Sequence, residues 1–325
     1  MRTALLILFI AGLVGCNAKP ETEFEKTVRL AKSGDAEAQY QLGLMYANGE
    51  GVPKDDAEAL NWYRKAADQG DALAQHHLGN MYANGEGVPE DDAEAAKWYR
   101  QAAEQGLARA QTNLGAMYAQ GEGVPKDDAE ALKWLRKAAD QGYAIAQQNL
   151  GNMYEFGQEV PEDDAEAVNW YRKAAEQGYA LAQYSLGNMY YNGEGIPQND
   201  AEAAKWYRQA ADQGDALAQH CLGNMYAKGE GVPQNDAEAA KWYRQAADQG
   251  YAIAQNNLGA MYAKGEGVPQ SYVEAYAWFS IAAANGDETA KSNLPKVKAR
   301  LTPEQLVAAQ KRVTQLSEQS NANKE

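Results

Sequence analysis

The residues of this 325-residue chain best suited to metal or nucleophilic chemistry are three histidines and two cysteines: His76, His77, His220, Cys221 and Cys16. Four of them form the adjacent pairs His76-His77 and His220-Cys221, and neighbours on a helix cannot both point at one ion. The pairs are far apart, and no further histidine exists to complete a site. Oxygen-rich stretches such as Asn48, Glu50 and Asp55 lack the D-x-[DN]-x-[DN]-G-x5-E spacing of a calcium loop. The Gly-Glu-Gly elements put Glu50 where a phosphate would have to approach, and no lysine follows at P-loop spacing. The carboxylates recur at equivalent positions and form no unique acid–base pair, and no histidine has the neighbours of a triad. No catalytic residue, metal site or cofactor is therefore expected.

The elements that would position any site are set by a repeat. A block reading G-x-x-x-A-Q-x-x-L-G-x-M-Y-x-x-G-x-x-[VI]-P begins at Gly34, Gly70, Gly106, Gly142, Gly178, Gly214 and Gly250, a constant period of 36 residues. Seven copies span Gly34 to Asn285. A fixed period of this length is the signature of a solenoid.

Within a copy, Ala38, Leu42, Met45 and Tyr46 fall at i, i+4, i+7 and i+8, the stripe of a helix with one buried face. Gly49 suits a left-handed cap, and Pro53 blocks continuation. A second helix starts at Asp55, which can cap the backbone N–H of Glu58 while the Glu58 side chain reaches back. The cap position reads Asp55, Asp91, Asp127, Asp163, Asn199, Asn235 and Ser271, so the chemistry is kept while the residue drifts. The second helix is expected to bury Ala59, Trp62, Tyr63 and Ala66, and to end before Gly70. All seven tryptophans occupy the Trp62 position and read as core residues.

The formal charge is −15. That disfavours nucleic acid, whose binding draws on Lys and Arg contacts to phosphate, and favours a neutral or basic partner. At the start, Arg2 precedes an apolar run from Ala4 to Val14, too short to span a bilayer and suited to a signal peptide. Leu13-Val14-Gly15-Cys16 resembles the bacterial lipobox. The resemblance implies cleavage before Cys16, acylation of that cysteine and anchoring in a membrane. Asn17, standing where an aspartate would favour inner-membrane retention in enterobacterial sorting, points to the outer membrane of a bacterial envelope. With Cys16 acylated, Cys221 has no partner for a disulfide.

The pattern A-x-A-Q-x-x-L-G-x-M-Y-x-x-G-x-G-V-P-x-D-x-A-E-A-x-x-W-Y resembles the Sel-one-like repeat family, relatives of tetratricopeptide repeats. The resemblance implies an all-α, right-handed α/α solenoid of helix-turn-helix repeats, acting as a non-enzymatic adaptor for proteins. Some exported relatives carry a disulfide in each repeat and are linked to penicillin-like or cell-wall compounds; such cysteines are absent here. The expected layout is a signal peptide over 1–15, a lipidated cysteine, linker and capping half repeat over 16–33, repeats over 34–285, a half repeat with a capping helix over 286–317, and a disordered tail over 318–325. Phe24, Val28 and Ala31 would shield the first repeat. Leu306, Val313 and Leu316, after a capping box at Thr302, would cover the last.

In such an array, function is sought at positions that vary between copies. On the first helix one reads Tyr40, His76, Thr112, Gln148, Tyr184, His220, Asn256; the next reads Gln41, His77, Asn113, Asn149, Ser185, Cys221, Asn257; a third reads Leu44, Asn80, Ala116, Asn152, Asn188, Asn224, Ala260. All three are expected to lie opposite the buried stripe. Asn offers donors and an acceptor that could hold the backbone of an extended peptide. Repeat four breaks the loop pattern with Phe156 and Glu159, and Tyr191 replaces an alanine in repeat five. The expected partner site is therefore Asn149, Asn152, Phe156, Tyr184, Asn188 and Tyr191, on a monomer that binds a protein or extended peptide. Two other readings are a cell-wall or β-lactam-related binder or hydrolase, and a structural lipoprotein of a polysaccharide or secretion apparatus.

Overall fold

The structure, a computed structural model, describes residues 21–157 and 161–322, with side chains through 319. Cys16 and Glu159 lie outside the described residues. Among these, all regular structure is helical: α1 Glu23–Lys32, α2 Ala36–Asn48, α3 Asp56–Asp68, α4 Ala72–Asn84, α5 Asp92–Glu104, α6 Ala108–Gln120, α7 Asp128–Asp140, α8 Ala144–Glu155, α9 Asp164–Glu176, α10 Ala180–Asn192, α11 Asp200–Asp212, α12 Ala216–Lys228, α13 Asp236–Asp248, α14 Ala252–Lys264, α15 Tyr272–Ala284, α16 Glu288–Lys298 and α17 Pro303–Ala322. The even-numbered helices from α2 to α14 are the first helices of the seven repeats, and the odd-numbered helices that follow them are the second. The chain forms two compact units. One runs to Ala110 and includes Glu122–Val124, and the other comprises Gln111–Gly121 and Pro125 onward.

In both units the residues that start and stop each helix act locally. Gly49 ends α2 at φ +73 and Gly229 ends α12 at φ +74, a left-handed backbone that a side chain would strain. Asp91, Asp127 and Asn199 accept the N–H of the residue three positions on, at 3.0–3.1 Å. The expected return bond from the glutamate is replaced. Glu94, Glu130, Glu202 and Glu238 pair instead with Lys97, Lys133, Lys205 and Lys241 one turn later. In these four copies the exposed lysine one turn away offers the glutamate a full charge, while Glu58 and Glu166 have Asn61 and Asn169 at that place. Full boxes form at the two ends, at Thr22 with Glu25 and at Thr302 with Gln305.

A buried glutamine network joins the helices. Gln183 donates to Ala175 O of the preceding second helix at 3.1 Å and accepts from Gln213, at the end of its own repeat, at 2.7 Å. Gln147 and Gln219 repeat the arrangement in the second unit, and Gln75 does so in the first. This satisfies the polar ends of helices packed away from water. It is the physical reason for the recurring A-Q and Q-G pairs.

The tryptophans divide into two groups. Trp134, Trp170, Trp242 and Trp278 are buried, whereas Trp62, Trp98 and Trp206 are half-buried, so the expectation of a uniform core role is corrected. Trp242 of α13 packs with Tyr207, Ala210, Leu222 and Met225 of α11 and α12, so it joins one repeat to the one before. Phe24 and Val28 of α1 pack on Leu42, and Leu316 of α17 completes the core around Trp278. Helix α17 continues to Ala322, beyond the boundary expected at residue 317.

Candidate functional site

The first of the three variable positions is not on an open face. Tyr40, His76, Thr112, Gln148 and Asn256 are buried, and Tyr184 is half-buried with its ring 6.0 Å from that of Tyr207. In the second unit α8, α10, α12 and α14 each pack against their own second helix and the preceding one, and some of their side chains reach the next first helix. Gln148 donates to Ser185 at 3.1 Å, and Asn257 reaches His220 at 3.3 Å. More than one stripe is therefore covered. Tyr184 is thus partly covered, with one side of its ring turned to Tyr207 and the rest accessible. The histidines share this environment. Burial lowers His76 to about 4 and pulls His77 and His220 below the usual histidine range, while the half-buried Cys221 thiol is pushed up to about 11 by the same cause. A thiol so shifted is a poor nucleophile at neutral pH.

The third position has a structural partner that sequence reasoning missed. Asn80, Asn152, Asn188 and Asn224 each accept the hydroxyl of a second-helix tyrosine nineteen residues on, Tyr99, Tyr171, Tyr207 and Tyr243, at 2.6–2.7 Å. Where this position is Ala116 or Ala260, the facing residue is Leu135 or Phe279, which has no hydroxyl. In these six copies the pair changes together, because a buried tyrosine O–H without an acceptor is costly, whereas repeat one sets Leu44 opposite Tyr63. The glycine one residue earlier makes the approach possible, since a Cβ on Gly187 would sit 2.7 Å from the Tyr207 ring. Asn152 and Asn188 thus spend their oxygens internally. The Asn188 amide also donates to the Tyr184 hydroxyl one turn earlier on α10. Asn188→Ala is expected to cost about 1–3 kcal/mol by orphaning Tyr207, and adding Tyr207→Phe should recover most of that. A double-mutant cycle in urea measures the coupling.

The remaining predicted residues occupy the accessible part of the face. Asn149 is half-buried beside Asn152, Phe156 is 62 % exposed, and Tyr191 is half-buried with its hydroxyl donating to Glu230 at 2.9 Å. The structure shows no ring contact between Phe156 and Tyr191. They fall one position out of register, Phe156 standing where Asn192 stands in the next repeat. Glu155 was not anticipated. It replaces an alanine found in five other copies, and its carboxylate shares the single Tyr171 hydroxyl proton with the Asn152 oxygen. Burial raises its carboxyl, the Tyr171 bond opposes the rise, and Glu194 and Asp164 add to it.

In the second unit Asn149 and Tyr191 help to line a recurring recess between successive repeats. One cavity of about 490 Å³ is lined by Ala116, Leu135, Asn149 and Asn152; one of about 240 Å³ by Asn188, Tyr191, Tyr207 and Cys221; one of about 350 Å³ by Asn224, Tyr243, Asn257 and Ala260. The three correspond position by position. The largest lies where Ala116 and Leu135 replace the bulkier Asn and Tyr.

A second recurring feature also escaped the sequence reading. The second residue of the first helix is an exposed aliphatic in four consecutive repeats of the second unit: Ile145, Leu181, Leu217 and Ile253. The signal was present, since an apolar side chain recurs at a position outside the buried stripe.

Comparison with known proteins agrees with this architecture. The Sel1 repeat matches seven times, over residues 36–71, 72–107, 108–143, 144–179, 180–215, 216–251 and 252–287. A Sel1 repeat protein from Oxalobacter formigenes, solved by crystallography, is 40% identical, with 84% of this chain and 79% of that one covered and a TM-score of 0.71. The crystal structure of c5321, a protective antigen of uropathogenic Escherichia coli with an SLR fold, is 32% identical, covering 90% of this chain and 86% of that one, with a TM-score of 0.52. Among curated proteins, the secretory immunoglobulin A-binding protein EsiB of Escherichia coli O6:H1 is 39% identical over 69 residues, 20% of this chain and 14% of EsiB. The match thus spans about a seventh of that relative's length. Sel1 repeat proteins are generally protein-interaction scaffolds and typically non-catalytic. With seven copies matched in register, the chain belongs to the Sel1 repeat family.

Proposed function

We propose that this protein is a non-enzymatic scaffold, anchored to a bacterial envelope through Cys16, that binds a protein partner along the exposed face of its first helices in the second unit. The observation that carries the reading is the row of equivalent recesses, two of which are lined by Asn149 and Asn152 and by Asn188 and Tyr191. The excess of acidic residues favours a basic or neutral partner.

A photo-crosslinking residue placed at Phe156 or Tyr191 in envelope preparations should form a discrete adduct, and the same residue at the exposed second-helix positions Lys133 and Lys205 should not. Adducts only from the lysine positions would put the partner on the other face. The anchor is tested separately. Wild type should incorporate labelled palmitate and enter the detergent phase, and Cys16→Ser should lose at least about tenfold of that partitioning, because stable anchoring needs the acyl chains. Equal partitioning of the two forms would reject it.

A further inference from the structure

The three recesses of the second unit share six equivalent positions, three on the earlier repeat and three on the later. Their volumes follow the residues on the earlier wall. Between repeats three and four that wall is Ala116, Ala119 and Leu135, and the recess holds about 490 Å³. Between repeats six and seven it is Asn224, Ala227 and Tyr243, and about 350 Å³ is left. Between repeats five and six it is Asn188, Tyr191 and Tyr207, and about 240 Å³ remains.

Two features of the wall control the size. The Asn–Tyr pair that crosses between first and second helix is the smaller Ala116 with Leu135 in the largest recess. Three residues after the third variable position stands an alanine in the two larger recesses, Ala119 and Ala227, whereas Tyr191 fills that place in the smallest. The later wall does not set the order, since it carries Asn152 in the largest recess and the smaller Ala260 in the middle one.

The lining of the largest recess selects its occupant. Ala116, Ala119, Leu135 and the buried Met153 give it apolar walls. Asn149 adds an amide that can accept from an indole N–H or a phenol, and Lys126 adds an ammonium group 3.5 Å from Asp128. A thioether and an ammonium group both attract aromatic rings, and aromatic side chains are the commonest anchors of protein interfaces. An aliphatic side chain would touch the same walls and use none of these groups. We infer that the recess of Ala116, Ala119 and Leu135 is a socket for a tryptophan or tyrosine side chain of the protein partner, and that Tyr191 closes the equivalent recess between repeats five and six to such a ring. The inference rests on the reading that the partner uses this face, and it names what the partner presents and which residues select it.

Each repeat carries one methionine at the Met153 position, so the recesses have their own reporters in Met153 and Met225. With isotope-labelled methionine methyl groups in the full chain, N-acetyltryptophanamide should shift the Met153 resonance, assigned through Met153→Leu, and leave Met225 in place. A Kd on the order of 1 mM is expected for so small a probe, and an equal concentration of N-acetylleucinamide should not displace it. Ala119→Tyr puts here the residue that repeat five carries, and should weaken binding about tenfold or more with the thermal melt unchanged. Moving the open wall the other way, by Asn188→Ala with Tyr191→Ala and Tyr207→Leu, should bring the shift to Met225. No Met153 shift, an equal Met225 shift in the wild type, displacement by the leucine amide, or unchanged affinity in Ala119→Tyr overturns the socket, as does a folded triple variant without a Met225 shift. Crosslinks at Phe156 or Tyr191 without a Met153 shift would keep the partner on this face and reject the socket. A Met153 shift with crosslinks from the lysine positions alone would keep the aromatic socket and reject that reading of the partner.

Discussion

Trp242→Ala is expected to lower the unfolding free energy of the chain by about 3–5 kcal/mol, the cost of removing a large aromatic from a packed interior. The residue is 4% exposed and fills the space between α13 and the α11–α12 pair, against Tyr207, Leu222 and Met225. In a repeat array stability is roughly the sum of repeat and interface terms, so a loss at one interface is felt by the repeats on both sides. Half-buried Trp206, truncated in the same way, should cost visibly less. The indole N–H of Trp242 has no hydrogen-bond partner in the structure. Trp242→Phe should therefore lose packing volume but no hydrogen bond, and should fall well below the alanine variant. Denaturant melts of the three variants check the order, and equal losses at Trp206 and Trp242 would show that this position does not act through burial.

Gly231→Ala should be nearly as damaging, for a different reason. The residue has φ +66, and a Cβ there would meet Asp200 O at 2.1 Å, inside the preceding repeat. The positive φ alone costs a non-glycine residue about 1–2 kcal/mol. The overlap is with backbone and can be relieved only by moving one repeat off the next, so a total of about 3 kcal/mol or more is expected. Gly214 separates the contributions. It has φ +97 with nothing within 4 Å of a built Cβ, so Gly214→Ala should carry only the strain. Calorimetric melts in which the two alanine variants lose the same stability would mean that the loop does not lock neighbouring repeats. The same contact recurs at Gly195 against Asp164 and at Gly267 against Asp236. At the corresponding place repeat four carries Glu159, outside the described residues.

The helices, their caps and most of the core were legible from the sequence because each is decided within a few residues. Asp127 caps α7 through a bond to Glu130 N, three positions away, and Gly229 ends α12 through its own φ. Leu186 and Ala182 are buried because they lie on a stripe that α10 carries by itself. The candidate site was only partly legible. Phe156 is exposed as expected, and Asn149, Asn152 and Tyr191 line recesses, but Tyr184 lies against Tyr207, and the oxygens of Asn152 and Asn188 are taken by tyrosine hydroxyls.

What the sequence by itself determined is the 36-residue unit: two helices, the loop between them, their ends, and the residues each must hide from water. What only the tertiary structure decided is how much of each first helix the stacked repeats leave uncovered. A helix's own periodicity identifies one buried stripe, whereas in a solenoid a first helix meets its own second helix, the preceding one, and side chains of its neighbours. Those contacts bury Gln148, pair Asn188 with Tyr207 across nineteen residues, and leave Leu181 in the open. The pattern within one copy is the same whichever of these outcomes holds, so the choice belongs to the stacking of copies.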